Sequence, residues 1–456
     1  MLKLTAVEIA QKLGYSYEGT NETIITTVVC DSRAVEKGSL FVALAGEKTD
    51  GHKFIQAAYE KGAAAVVVSR PVEAIDGLVM IKAPDGLKFL QELAALVRIN
   101  LKANVIAVTG SYGKTTTKDM LGSVFSKFSA CISQGNNNNE LGLPLNICRA
   151  DEKTQILVSE MGMRGLGQIE FLCHIARPQY GIITNIGTVH SEILGSQEKI
   201  AQAKAELLAF IPSNGAAVLN WQDKVFLEKH LPTCQGEIIW YNCRERADGA
   251  CALEIKLSES ASDFVFAWKD YLFPVHLNVA GAHNITNSLA VIVIALILGV
   301  SIENIKEGLA NITISGMRLK TEKAPCGAIV INDCYNANPQ AMQGALQVLS
   351  MYEGKKKIAV LGEMYELGQY SESGHRESGA NAYRLKADRL IAVGDLAKDI
   401  AKGAVDAGMA KEKVFWTNSN QEAADILRKI IDSESVVLIK GSRGRKMEEI
   451  VNEIMG

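Results

Sequence analysis

The sequence predicts an α/β protein in three blocks, and three observations carry that prediction. Apolar runs of four to six β-branched or aliphatic residues alternate with helical periods along the whole chain, the pattern of parallel sheets covered by helices. At 456 residues the chain is long enough for two to four domains with cores of their own. The third observation is the strand-to-helix turn "TGSYGKTTT", Thr109 to Thr117.

The first block, residues 1–98, contains the strand-like runs "SLFVALAG" and "GAAAVVVS" with helix-like "FIQAAYEKG" between them. The second, 99–316, opens on "NVIAVTG" and continues through the strands "QILVSE", "YGIITNIG" and "GAAVLN". A β-rich stretch from Ala252 to Val279 follows, then the apolar segment "LAVIVIALILGV". That segment is about half a membrane span and follows the polar "GAHNITN", so a buried helix is expected and no membrane insertion. The boundary is expected in "NITISGMRL". The third block, 317–456, alternates "GAIVIND", "KKIAVLGEM", "DRLIAVGD", "KVFWTN" and "SVVLIKGS" with helical segments.

A net charge of −3 from 48 basic and 51 acidic residues argues against nucleic acid as the partner. The N-terminus "MLKLTAVEIAQKLGY" lacks a basic region followed by an apolar stretch, and the nine cysteines are scattered without a CxxC pair. A reduced, cytoplasmic setting is expected, with neither disulfides nor a zinc site.

In "TGSYGKTTT" a strand ends in a glycine turn and opens a helix, which aims backbone N–H groups and a helix N-terminus at an anion. Gly110, Ser111, Tyr112, Gly113, Lys114, Thr115 and Thr116 are the expected nucleotide-phosphate contacts. Lys114 would reach the outer phosphates as a point charge, and the Thr115 hydroxyl would sit on Mg²⁺. Val108 stands where the longer phosphate-loop pattern has its first glycine, so this is the shorter GxxGKT form.

Ligands of parallel sheets gather at the carboxyl ends of strands. "QILVSEMG" ends there in Glu160, placed to face Mg²⁺ opposite Thr115, although lone strand-end acids are common. "GIITNIGTVHSEILGS" brings Thr184, Asn185 and His190 after the next strand, and Lys204 lies in "EKIAQAKAEL". Alone, His190 is most simply a surface imidazole and Lys204 a solvated helix lysine. "VLNWQD" invites comparison with the NKxD element that reads guanine, but Trp221 replaces its lysine. A phosphate-loop regulatory switch is therefore a weak alternative.

Taken together, "TGSYGKTTT", "GNNNNELGLP", "SEMG", "TNIGTVHSEILGS", "AKAEL", "VLNWQD" and "GAHNITNSLA" resemble the central ATPase domain of the Mur ligases. The likeness extends outward. "DSRAVEKGSLFVALAGEKTDGHKF" is similar to the family's N-terminal domain for the nucleotide-sugar end of the substrate. "DCYNANPQAM", "LGEMYELG" and "KGSRGRKME" are similar to the C-terminal, Rossmann-like domain of the member that adds D-alanyl-D-alanine. The string "YNANP" is the discriminating one. Single-residue-adding sisters typically carry His or Lys at a matching Asn.

The resemblance implies a three-domain, monomeric ligase that forms an amide bond through an acyl phosphate, using ATP and Mg²⁺ to join UDP-N-acetylmuramoyl-tripeptide and D-Ala-D-Ala. It implies Thr115 and Glu160 on one Mg²⁺ and His190 on a second, with Lys204 converted by CO₂ to a carbamate that serves the second ion. Lys114, Glu160, His190 and Lys204 are the implied catalytic set. Asn284 and Asn287 match adenine and ribose contacts, Arg318 a phosphate contact brought in by the third domain, and Asp333 a nucleotide contact from that side. Ser32, Arg33, Asp50, Gly51 and His52 match strings for the UDP-sugar end, although Asp-Ser and Asp-Gly are also turn formers. Asn138 and Asn139, in "GNNNNELGLP", fall on the substrate side, and Asn336 and Asn338 are expected at the dipeptide acceptor. Glu363 and Glu366 read equally as amine-binding acids or surface charge. The third tripeptide residue stays open between meso-diaminopimelate and lysine. A folylpolyglutamate-type ligase, or another family member adding one amino acid, is the alternative. Arg318 and Asp333 can act on ATP held by the central block only if the linker near Gly316 lets the domains close.

Overall fold

A computed structural model describes residues 3–20, 22–46, 49–188 and 191–456. The first helix, Ala6–Leu13, shows why these elements form where they do. Thr5 and Glu8 close a capping box at its start, and Gly14, at φ 75°, ends it in the left-handed conformation. The sheet behind it has the order Ser16–Glu18, Val79–Lys82, Ala65–Val68, Ser39–Val42, Thr27–Val29. Only the Ser16–Glu18 edge runs antiparallel.

Helix Gly86–Ile99, capped by the Asp85 carboxylate, ties this domain to the next. Its Phe89, Leu90, Leu93, Ala94 and Val97 are fully buried in one core shared by the first sheet and one face of the central one. The buried Arg98 guanidinium donates to the carbonyls of Ala176 (2.7 Å), Arg177 (3.0 Å) and Leu101 (3.2 Å), so its charge is met by backbone dipoles.

The central sheet is parallel throughout, in the order Glu237–Tyr241, Ala216–Asn220, Tyr180–Ile183, Asn104–Thr109, Ile156–Glu160, Ala130–Ile132. The chain leaves Asn104–Thr109 toward one side and later returns to the other, which makes the carboxyl end of that strand the switch point where a crevice opens. On the opposite face helix Ala282–Ile297 buries Leu289 through Leu296 between this sheet and an antiparallel one formed by Cys251–Leu257, Ser262–Trp268 and Tyr271–Leu277. The apolar segment is thus a core helix, and among the described residues no helix is long and apolar enough to cross a membrane.

The third sheet has the order Lys320–Lys323, Ile329–Asp333, Ser435–Lys440, Lys356–Gly362, Arg389–Val393, Val414–Thr417. All its pairs are parallel except the first. That antiparallel edge, "KTEK", carries no apolar alternation and was not expected from the sequence.

Candidate active site

The carboxyl ends of the central and third sheets face each other across a cavity of about 980 Å³. Ser111 to Thr116, Asn138, Glu160, Asn284 and Asn287 line it from the central domain, and Arg318, Asp333, Asn336 and Asn338 from the third.

The phosphate loop is held from behind. Tyr112 N–H donates to Asn185 Oδ1 (3.0 Å), and the Tyr112 carbonyl accepts from Thr184 Oγ1 (2.5 Å) and Asn185 Nδ2 (2.9 Å). Gly187 N–H donates to Ser111 Oγ at 2.9 Å. Thr184 and Asn185 therefore act as braces, with Ser111 N–H also held on the Asn185 carbonyl at 3.2 Å, and the N–H groups of Gly113 to Thr116 are the ones left at the helix N-terminus. The two glycines are required by contact as well as conformation. Gly110 has φ 148° and a Cβ there would lie 1.8 Å from Thr184 Oγ1, while Gly113 has φ 80° and its Cβ would lie 2.7 Å from Asn287 Oδ1. Lys114 Nζ donates to the Gly110 carbonyl at 2.7 Å, folded over its own loop.

Glu160 is 2 % exposed. Its Oε1 accepts from Asn138 Nδ2 at 2.9 Å, but the buried Oε2 has no hydrogen-bond partner. An orphaned carboxylate oxygen and the Thr115 hydroxyl in one cavity are hard oxygen donors of the kind Mg²⁺ takes alongside phosphate and water. Among the described residues no group of three His, Cys, Asp or Glu side chains gathers around a metal position, so these residues fit an ion held jointly with a phosphate ligand. His190 lies outside the described residues. Asn139 Oδ1 accepts from Gly142 N–H at 2.9 Å, starting the next helix.

Lys204 is 1 % exposed, which removes the solvated-lysine reading. Burial first, and the nearby Lys114 charge second, hold its amine well below the ordinary lysine range. A neutral amine is the form that reacts with CO₂. Lys114 is also lowered, by burial chiefly and Arg318 further, with Glu160 opposing. The side chain of Asn284 donates to the Ala280 carbonyl (2.7 Å) at the head of its helix, and Asn287 rests against Gly113.

From the third domain Arg318 reaches across the cavity. Its Nη2 donates to Thr115 Oγ1 at 3.1 Å and its Nη1 to the Ser315 carbonyl at 3.0 Å. Its guanidinium lies 3.8 Å from the centroid of the Tyr335 ring. Asp333 pairs with Lys440 Nζ at 2.6 Å and accepts from Leu319 N–H at 3.3 Å, while the same ammonium donates to the Asn336 carbonyl. Asn338 caps helix Pro339–Ser350 through Ala341 N–H, and Asn336 Oδ1 accepts from Ala337 N–H, so both have amide groups left over for a ligand. Glu363 is buried rather than at the surface. Its oxygens accept from Leu396 N–H and the Tyr365 hydroxyl, so that carboxylate braces a loop, whereas Glu366 lines the cavity.

Ser32, Arg33, Asp50, Gly51 and His52 do not border this cavity. Ser32 and Arg33 lie in a turn capped by Asp31, with Arg33 paired to Asp31 at 2.7 Å. Asp50 caps the Gly51–Phe54 turn and its Oδ1 accepts from His52 Nδ1–H at 2.7 Å, while His52 Nε2 accepts from Ser69 N–H at 3.0 Å. Because Nε2 accepts, these bonds orient the ring with its Nδ1–H on Asp50. Tyr335 and Lys440 were missed by sequence reasoning. They lie in "YNANP" and "SVVLIKGS", and the partners that make them matter are distant in the chain.

Profiles of the Mur ligase middle domain, the Mur ligase family catalytic domain and the Mur ligase glutamate ligase domain match residues 108–295, 24–98 and 317–443. The chain is 34% identical to the UDP-N-acetylmuramoyl-tripeptide--D-alanyl-D-alanine ligase of Bacillus subtilis, over 100% of this chain and 99% of that one. It superimposes on the crystal structure of MurF from Acinetobacter baumannii with a TM-score of 0.87 and 32% identity, covering 99% of this chain and 98% of that one. MurF from Thermotoga maritima, solved in complex with ADP, gives a TM-score of 0.81 at 28% identity, covering 96% and 98%.

Proposed function

Because the chain belongs to the Mur ligase family, we propose that its cavity is where ATP, UDP-N-acetylmuramoyl-tripeptide and D-alanyl-D-alanine meet. It is an ATP-dependent ligase that adds D-Ala-D-Ala to UDP-N-acetylmuramoyl-tripeptide in peptidoglycan synthesis. The observation that carries the placement is the facing of two strand-end surfaces, with the phosphate loop and Glu160 on one side and Arg318 and Asn336 to Asn338 on the other.

A carboxylate is a poor acyl donor, so the terminal carboxylate of the tripeptide first attacks the γ-phosphorus of ATP and ADP leaves. The dipeptide amine then attacks the acyl carbon, phosphate departs, and the nitrogen loses a proton as the amide forms. Both steps need positioning and charge neutralisation rather than a nucleophilic side chain. Lys114 and Arg318 bring positive charge to the phosphates from opposite domains. In the loop Gly110 to Thr116 the Ser111 and Tyr112 N–H groups are taken by Asn185, and those of Gly113 to Thr116 turn to the same oxygens, while Asn284 and Asn287 present amides to the base and ribose. Thr115 and Glu160 would hold a Mg²⁺ that screens the phosphate charge, and His190 with a carbamate on Lys204 would serve a second. The leftover amide groups of Asn336 and Asn338 suit an acceptor with an amine at one end and a carboxylate at the other. Asp333 steadies that wall through Lys440, on the nucleotide side. Asn138 and Asn139 border the acyl-donor side, and the turns of Ser32, Arg33 and Asp50 to His52 belong to the domain assigned to the UDP end.

We infer domains spanning 1–98, 99–316 and 317–456, and a cytoplasmic monomer. The test is phosphate release from MgATP with UDP-MurNAc-tripeptide and, in turn, D-Ala-D-Ala, D-Ala, L-amino acids or no acceptor. Release with D-Ala-D-Ala alone, and a product heavier by the dipeptide, is expected. Equal turnover with a single amino acid would overturn the acceptor assignment.

A further inference from the structure

The helix that opens at the phosphate loop, Lys114–Val124, carries a second device three to four residues past the nucleotide contacts. Asp119 Oδ2 accepts two hydrogen bonds from Ser315, one from its N–H and one from its hydroxyl, each 2.8 Å. Its other oxygen lies 3.1 Å from Lys118 Nζ, and both side chains are buried, at 10 % and 2 % exposure. Ser315 is the last residue before the positive-φ Gly316, where the chain crosses into the third domain. Its carbonyl in turn accepts from Arg318 Nη1, while Arg318 Nη2 holds Thr115 Oγ1.

We propose that Asp119 and Ser315 form a latch that docks the linker on the phosphate-loop helix and thereby sets the reach of Arg318. Asp119 is a positioning residue for the reaction, 196 residues away in sequence from the serine it holds. The geometry closes a ring: Thr115 and Asp119 share one helix, Ser315 and Arg318 share one turn, and three side-chain bonds join the two. With the linker docked, the guanidinium arrives on the metal-and-phosphate side of the loop with its rotamer already chosen, stacked on Tyr335. With the linker free, Arg318 would have to be ordered in each turnover. The proposal rests on Arg318 as a phosphate contact and adds the group that places it.

The test uses the full-length protein and phosphate release with UDP-MurNAc-tripeptide and D-Ala-D-Ala. Ser315→Ala removes the hydroxyl donor and leaves the N–H. It is expected to lower kcat about three- to tenfold with KM for ATP within about twofold. Asp119→Asn, which keeps an acceptor oxygen but loses the charge, is expected to cost more, on the order of ten- to a hundredfold. If that variant folds poorly because Lys118 loses its counter-charge, Ser315→Ala carries the test alone. The decisive measurement is the cycle with Arg318→Ala. In that background Ser315→Ala should cost nothing further, because the group it places is gone. Losses that multiply, or an unchanged kcat in Ser315→Ala, would overturn the latch. Failure of the wild-type protein to turn over with D-Ala-D-Ala would instead overturn the acceptor reading, so the two failures are distinct.

Discussion

Replacing Gly110 by Ala tests the phosphate loop at its tightest point. The glycine sits at φ 148° and the added Cβ would stand 1.8 Å from Thr184 Oγ1. A side chain held in such a sparsely populated backbone region costs of order 1–3 kcal/mol. Thr184 must also swing away, which breaks its 2.5 Å bond to the Tyr112 carbonyl at about 1 kcal/mol. The sum is about 2–4 kcal/mol against the loop shape that binds phosphate. Expressed as nucleotide affinity, that is a loss of about thirty- to a thousandfold. Calorimetric titration with MgADP measures it. Gly122, on the same helix, is the control. It lacks a positive φ, and its Cβ would rest 3.5 Å from Ile132 Cγ1 in ordinary contact. Gly122→Ala should leave ADP affinity alone and stabilise the protein by roughly 0.5–1 kcal/mol through helix propensity. If Gly110→Ala binds MgADP within threefold of wild type, the close-approach reasoning fails.

Two further outcomes follow from buried ionisable groups. Asp223 accepts from Ile186 N–H at 3.0 Å but is desolvated, which pushes its carboxyl up to about 7. A carboxyl whose pKa is higher folded than unfolded binds more protons when folded, so it subtracts stability as pH rises from about 4 to 7. Asp223→Asn keeps an acceptor and removes that charge. It should gain on the order of 2–4 kcal/mol over wild type at pH 8 relative to pH 5, read by denaturant unfolding at both pH values. An equal difference at the two pH values would refute this. Burial, and then the nearby Lys114 charge, lower the Lys204 amine, which favours the neutral form that the proposed carbamate requires. Activity is expected to fall in CO₂-stripped buffer and return with bicarbonate, and Lys204→Arg, which cannot form the carbamate, should lose at least tenfold in kcat without a bicarbonate response. A wild-type protein indifferent to bicarbonate would rule the carbamate out.

The sequence by itself determined the local parts of this protein. Strand and helix periods, the Gly110–Gly113 turn, the strand-end position of Glu160 and the buried character of helix Ala282–Ile297 all follow from residues a few positions apart, where periodicity and turn chemistry act. The family resemblance supplied roles for residues whose local surroundings are bland, Lys204 above all. What only the tertiary structure decided is which distant groups share one low-dielectric space. Arg318 meets Thr115 across 203 residues and Asp119 meets Ser315 across 196, and neither pair leaves a mark on local periodicity. Glu363, open to a surface reading in "LGEMYELG", is buried because Leu396 N–H and Tyr365 claim its oxygens. Lys204 looks like a solvated lysine in "AQAKAEL" and becomes a perturbed amine only when its helix packs beside Lys114. Burial and electrostatic neighbourhood are properties of the packed chain, because desolvation depends on every element that closes over a group and not on the residues that flank it.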